Sequence, residues 1–93
     1  MKNQFEFIVE NNDMAPEYLK NDILIIENAN EWENNRDYLV LLDGAITLKH
    51  IYVDGEKVIL QDISTANTPV ILLKKDISPL GVVRQLRRKK GNI

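Results

Sequence analysis

Several residue types and patterns are scarce or missing in this 93-residue sequence. It has no cysteine and one histidine, which excludes disulfides and thiolate metal sites and leaves little room for a zinc site or a Ser-His-Asp triad. No segment approaches the roughly 20 apolar residues of a membrane span. The first ten residues, MKNQFEFIVE, alternate like a strand rather than an export signal. We therefore expect a cytoplasmic protein with no cofactor, no metal and no membrane partner.

Motifs for nucleotide and DNA binding are also missing. We find no helix-turn-helix, phosphate loop or Gly-rich nucleotide fingerprint. Residues 84–93 carry five positive charges and no negative one, and since the net charge is −2, residues 1–83 sum to −7. A segment with this much negative charge is a poor surface for binding nucleic acid. The basic tail could touch phosphate, but the favoured interpretation is a solvated terminus that frays.

The sequence does contain a series of short segments rich in β-forming residues, separated by turn signals. Asp43-Gly44 and Asp54-Gly55 each lie between runs of Val, Ile, Leu and Tyr, which is a strong hairpin signal. No helix longer than about two turns is predicted, so we expect one all-β domain over 1–93, a small, partly open barrel or sandwich of about seven strands. The predicted strands are 4–9, 23–27, 37–42, 45–53, 56–61, 69–73 and 80–86.

Lys49 lies in the middle strand of the two predicted hairpins. With two-residue turns, register places Tyr38 opposite Lys49 on one side and Leu60 on the other. A lysine among apolar neighbours in a sheet is unusual, because burying an unpaired ammonium is costly. His50 points to the opposite face and is expected to be an ordinary sheet residue rather than a base.

Two sequence elements then occur in a recognisable order. Asp13-Met14-Ala15-Pro16 follows the first strand, and Thr47-Leu48-Lys49 lies on the central one. The pattern resembles the C-terminal domain of LexA-type and phage-repressor proteins, self-cleaving serine peptidases related to UmuD and signal peptidase. Their order is Ser-Met-x-Pro, Gly-Asp, Asn-Gly-Asp, Thr-Val-Lys-Arg and Gly-Val-Val. The matching positions here are Met14, Pro16, Asp22, Asp37, Thr47, Lys49 and Gly81.

The chain departs from that pattern where the resemblance places the nucleophilic serine. Asp13 stands immediately before Met14. In the family a buried neutral lysine takes the proton of the serine, whereas a carboxylate has no proton to give at neutral pH and favours a charged lysine. The resemblance therefore implies a degenerate, inactive dyad of Asp13 and Lys49. We expect the two to form a partly buried ion pair; the alternative is that Asp13 only caps a turn and Lys49 reaches solvent.

The resemblance also implies a function. We expect a peptidase-inactive dimerisation and regulatory domain of a LexA-like (SOS-response) or prophage-type transcriptional repressor, with DNA read only by a separate upstream helix-turn-helix domain. A homodimer is the expected partner, through strand 80–86 or the edge near 69–73, since unpaired apolar edges must be covered or used. Two alternatives stay open: an active self-cleaving peptidase, and a β-module that holds a linker peptide or ligand in the vacated cleft.

Overall fold

The fold is all-β with seven strands, as predicted, and the strands form one antiparallel sheet. The computed structural model describes residues 3–63 and 67–88. The strands lie side by side in the order β1-β2-β7-β3-β4-β5-β6, so β1 and β6 form the two edges and the sheet is not closed. No helix in the described residues is long and apolar enough to cross a membrane. The elements are β1 Gln4–Ile8, β2 Ile23–Asn28, β3 Arg36–Leu42, β4 Ala45–Asp54, β5 Lys57–Gln61, β6 Val70–Leu73, a 3-10 turn at Lys74–Asp76, and β7 Pro79–Arg87.

The first hairpin has the predicted register. Leu42 lies opposite Ala45, so Asp43 and Gly44 are the two turn residues. Their φ angles are 52° and 81°, the left-handed conformation that a type I′ turn requires at both positions. Tyr38 consequently lies opposite Lys49. The predicted turn at Asp43-Gly44 and the pairing of Tyr38 with Lys49 are confirmed.

The second hairpin turns one residue later than predicted. Asp54 stays in the ladder opposite Lys57, and the turn residues are Gly55 and Glu56. Glycine at the first central position, with a φ of 59°, is typical of a type II′ turn, in which only that position needs positive φ. The predicted pairing of Lys49 with Leu60 is therefore wrong, because Leu60 lies opposite Ile51.

The central strands bury both of their faces. Successive side chains of a strand point to opposite faces, so β3 and β4 contribute to two separate apolar clusters. The first cluster contains Val9, Met14, Tyr18, Leu24, Ile26, Leu39 and Leu48. The second contains Tyr38, Val40, Ile51, Val58, Leu60, Ile77 and Val82. The loop between β1 and β2 supplies Val9, Met14 and Tyr18, and so covers the first face.

Strand β7 lies inside the sheet rather than at an edge. It pairs with β2 along most of its length and with β3 from Pro79 to Val82. The expectation of a free edge along 80–86 is therefore wrong for its first half, and within the described residues only 83–87 lack a partner on the β3 side. Gly81 is needed at the crowded part, since a Cβ there would lie 2.3 Å from the Ile26 Cγ2 and 2.9 Å from the Glu27 carbonyl oxygen.

The basic C-terminal segment is docked as far as residue 88. Arg84 contacts Glu27 and Glu33, and Arg87 lies 3.6 Å from Glu6. Residues 84–88 are exposed, as expected of a solvated tail. The expectation that they fray is wrong, because β7 continues to Arg87 and the arginines contact acidic residues on neighbouring strands and loops. Residues 89–93 of that predicted tail lie outside the described residues.

Asp22 is the most deeply buried of these acidic partners. Only 3% of the residue is exposed. Arg88 donates from Nε to Oδ1 at 3.0 Å and from a terminal nitrogen to Oδ2 at 2.8 Å, and the Leu19 amide donates at 2.7 Å. The hydrogen bonds from Arg88 hold the pKa of Asp22 below its ordinary value of 3.8. The end of β7 is thereby tied to the loop that leads into β2.

This pair gives the domain an acid-sensitive component of stability. Because the pKa of Asp22 is lower in the folded chain than in the unfolded one, its contribution is complete above pH ~4 and is lost as the pH falls below that value. We expect the free energy of unfolding, measured by urea titration from pH 7 to pH 2.5, to fall less steeply below pH 4 in Arg88→Met than in the wild type. Arg87→Met, whose partner Glu6 is exposed, is the control and should keep the wild-type slope. Equal slopes in all three proteins would contradict this role of Asp22.

Candidate functional site around Lys49 and Asp13

Lys49 is held by a carboxylate that the sequence analysis did not single out. Its Nζ lies 2.6 Å from Oδ1 of Asp62, and the side chains are 16% and 3% exposed. The Asn67 amide also donates to Asp62, at 3.2 Å. The pairing of His50 with Gln61 explains the contact, because one further step along the two strands brings Lys49 opposite Asp62. Charge-assisted hydrogen bonds of this kind are shorter and stronger than neutral ones.

Asp13 does not reach Lys49. No ion pair joins the two residues within residues 3–63 and 67–88, so the predicted Asp13–Lys49 pair is wrong. Met14, directly after Asp13, is buried in the first cluster, whereas Lys49 shares a face of β4 with Ile51 of the second. The alternative interpretation is wrong for Lys49, which is paired with Asp62 rather than free in solvent. Asp13 does lie at the start of a turn, where its amide donates to the Asn11 side chain.

Asp13 borders a narrow cavity between the loop after β1 and the beginning of β4. The cavity has a volume of about 40 Å³. Its walls include Thr47, so three of the predicted positions, Asp13, Met14 and Thr47, are brought together. The lining residues are Phe7, Val9, Glu10, Asn11, Asp13, Met14, Ile46, Thr47 and Leu48.

The other predicted positions have structural roles of their own. Met14 is 2% exposed and packs in the first cluster. Pro16 follows a cis peptide bond and is exposed. Asp22 is the anchor of Arg88, and Gly81 allows close contact between β7 and β2. None of these four lies beside Lys49 in the manner of a catalytic partner.

Asp37 organises a polar network on the face opposite Lys49. Tyr18 donates its hydroxyl to Oδ2 of Asp37 at 2.5 Å, and burial together with this hydrogen bond raises the pKa of Tyr18. Oδ1 of Asp37 lies 2.5 Å from Nδ1 of His50, whose Nε2 is 2.8 Å from Oδ1 of Asn35. Both ring nitrogens of His50 are therefore engaged. The network fastens the Tyr18 loop to β3 and β4.

Asp62 is the residue of the site that sequence reasoning missed. The register of the second hairpin could have revealed it. Placing the turn at Asp54-Gly55 rather than at Gly55-Glu56 put Leu60, instead of Asp62, opposite Lys49. A shift of the turn by one residue moves every cross-strand partner by two. Only the correct turn reveals that the lysine has an acidic neighbour.

Comparison with known proteins agrees with this architecture. The family model for Peptidase S24-like proteins matches residues 2–84. The chain therefore belongs to the Peptidase S24-like family. No curated protein matches the sequence closely enough to count as a relative.

The buried pair makes a prediction about stability. Replacing Lys49 with Met strands the Asp62 carboxylate, which is almost completely buried, and we expect the free energy of unfolding to fall by about 3 kcal/mol. Adding Asp62→Leu to Lys49→Met removes the stranded charge and should recover part of that loss. Urea unfolding monitored by circular dichroism measures both effects.

Asp13→Ala is the matched control for this pair. Since Asp13 makes no ion pair with Lys49, combining Asp13→Ala with Lys49→Met should recover nothing. If Asp13→Ala restored stability and Asp62→Leu did not, the lysine would have Asp13 as its partner in solution and our assignment would be wrong.

Proposed function

We propose that this domain is the peptidase-inactive dimerisation and regulatory domain of a LexA-like or prophage-type transcriptional repressor. The observation that carries the proposal is the contact between Lys49 and Asp62 at 2.6 Å in a chain of the Peptidase S24-like family. A lysine acts as a general base only when it is neutral. Here the amine donates a hydrogen bond to the buried carboxylate of Asp62, and we infer that it does not serve as the base.

The residue before Met14 supports inactivity independently. In the proposed correspondence Asp13 occupies the position of the nucleophilic serine. A carboxylate attacking an amide would form an acyl anhydride, which is a far poorer intermediate than the ester that a serine forms. The chain would thus lack both a hydroxyl to activate and a free base to activate it, and its role would lie in binding rather than hydrolysis.

Dimerisation is the binding role that we propose. Residues 83–87 of β7 lack a partner on the β3 side in the described part of the chain, and Leu86 there is 37% exposed. The second candidate is the outer strand β6, where Ile71 is 60% exposed. A dimer of this domain would join two DNA-binding heads, so that binding of the second half-site becomes intramolecular.

Sedimentation velocity tests the dimer and separates its two candidate surfaces. We expect the domain to sediment as a dimer at high micromolar concentration. Leu86→Glu places a charge at the free half of β7 and should shift the equilibrium to monomer by about ten-fold or more in the dissociation constant. Ile71→Glu, the matched change on β6, should leave the dimer intact.

If Ile71→Glu gave monomers and Leu86→Glu did not, the interface would lie at β6. A wild-type protein that stayed monomeric at high micromolar concentration would refute the proposed dimerisation. Circular dichroism of each variant shows whether the fold is retained.

Peptidase inactivity has a separate test. Incubation of the wild-type domain at alkaline pH, followed by mass spectrometry, should give no discrete fragment. Lys49→Ala is the control, because any fragment that appears in the wild type and vanishes in this variant would come from Lys49-dependent chemistry. Such a fragment would establish the active self-cleaving alternative and end the claim of inactivity.

A further inference from the structure

The two Asp-Gly sequences of the chain occupy different positions in their turns. Asp43 and Gly44 are both central turn residues, because the residues on either side of them pair with each other. Asp54 instead lies in the ladder opposite Lys57, and only Gly55 of that sequence is a central turn residue. Both aspartates and both glycines are exposed. A difference in their reactivity would therefore come from the backbone and not from access to water.

An aspartate followed by glycine is the sequence in which the backbone isomerises most readily, because glycine has no Cβ to shield its nitrogen. The glycine nitrogen attacks the aspartate Cγ, a C–N bond forms, and the carboxyl oxygen leaves as water to give a cyclic succinimide. Water then opens the ring at either carbonyl. Opening at the main-chain carbonyl leaves the chain running through Cβ and Cγ. The product is isoaspartate, and no atom is gained or lost overall.

Ring closure requires the peptide unit between the two residues to rotate toward the aspartate side chain. In a tight turn the carbonyl of the first residue accepts a hydrogen bond from the amide of the fourth. Asp54 is the first residue of its turn, so this rotation breaks the hydrogen bond from Lys57 that closes the hairpin. In the other turn Leu42 provides that carbonyl, and Asp43 is the second residue. The fold therefore restrains ring closure at Asp54 more than at Asp43.

The two hairpin ends also differ in what a distorted turn would disturb. Isoaspartate lengthens the main chain, so a hairpin with two turn residues no longer closes in its native geometry. In the second pair from the first turn, Leu41 and Ile46 are 54% and 57% exposed, and opening this end uncovers little buried apolar surface. In the second pair from the other turn, Val53 lies opposite Val58, which is fully buried in the second cluster. The folded chain thus tolerates the product better at Asp43.

We propose that Asp43-Gly44 is a modification site, at which the folded protein forms isoaspartate at the tip of the β3–β4 hairpin, whereas Asp54-Gly55 is protected. The product carries its α-carboxylate as a branch from the main chain at an exposed turn. An S-adenosylmethionine-dependent isoaspartyl methyltransferase esterifies this group, so enzymes of that class are the partner that fits the site. The inference does not depend on dimerisation or on peptidase inactivity.

Two matched variants of the full chain test the preference. Asp43→Asn and Asp54→Asn pass through the same succinimide with ammonia as the leaving group, and mass spectrometry reads each event as an amide that becomes a carboxyl. In the folded protein we expect Asp43→Asn to react about five-fold faster than Asp54→Asn, the factor that one net backbone hydrogen bond corresponds to. In concentrated urea, which removes both hairpins, the two variants should react at similar rates. Circular dichroism shows that each variant is folded before incubation.

The wild-type chain provides a second readout that needs no substitution. After prolonged incubation at physiological temperature, methyl label from an isoaspartyl methyltransferase should map to the peptide that contains Asp43 and not to the one that contains Asp54. Label that appears first at Asp54, or no label at Asp43, would overturn the proposal. The same conclusion would follow if the ratio of the two variant rates were equal in the folded protein and in urea, because the fold would then have no part in the preference.

Discussion

The buried ion pair between Lys49 and Asp62 constrains how β4 and β5 align. The ammonium shares a sheet face with apolar residues such as Ile51, so any slip that separated it from its carboxylate would leave two uncompensated charges in a poorly solvated place. The type II′ turn at Gly55-Glu56 sets the same register from the other end of the hairpin. The turn geometry and the ion pair therefore favour the same alignment of β4 with β5. That alignment determines which apolar residues of β5 face each side of the sheet.

The loop between β1 and β2 depends on polar contacts with the sheet. Tyr18 binds Asp37 on β3, and Asp22 binds Arg88 just beyond β7. Met14 meanwhile buries its side chain in the first cluster. These attachments hold Asp13 at the rim of the cavity beside Ile46 and Leu48. The loop that carries Asp13 is thus kept in place against the sheet.

Charge distribution follows from the same tertiary arrangement. Along the chain, the basic end and the acidic body look like separate regions. In the fold, Arg84 and Arg88 lie against Glu27 and Asp22, because the last strand runs beside β2 rather than beyond the sheet. The basic segment, which could have been interpreted as a nucleic-acid contact, forms ion pairs within the protein as far as residue 88.

The amino-acid sequence by itself determined the strand content, the first hairpin, the position of Tyr38 opposite Lys49 and the kinship with S24-like proteins, because these depend on local alternation, turn residues and motif order. It did not determine that β7 lies between β2 and β3. Nor did it determine that Lys49 pairs with Asp62, while Asp13 pairs with neither of these two residues. Strand order and ion pairs join residues far apart in the chain, and a register error of one turn residue changes every partner. Only the tertiary structure decides such contacts, because several pairings satisfy the same local rules and packing of both sheet faces selects among them.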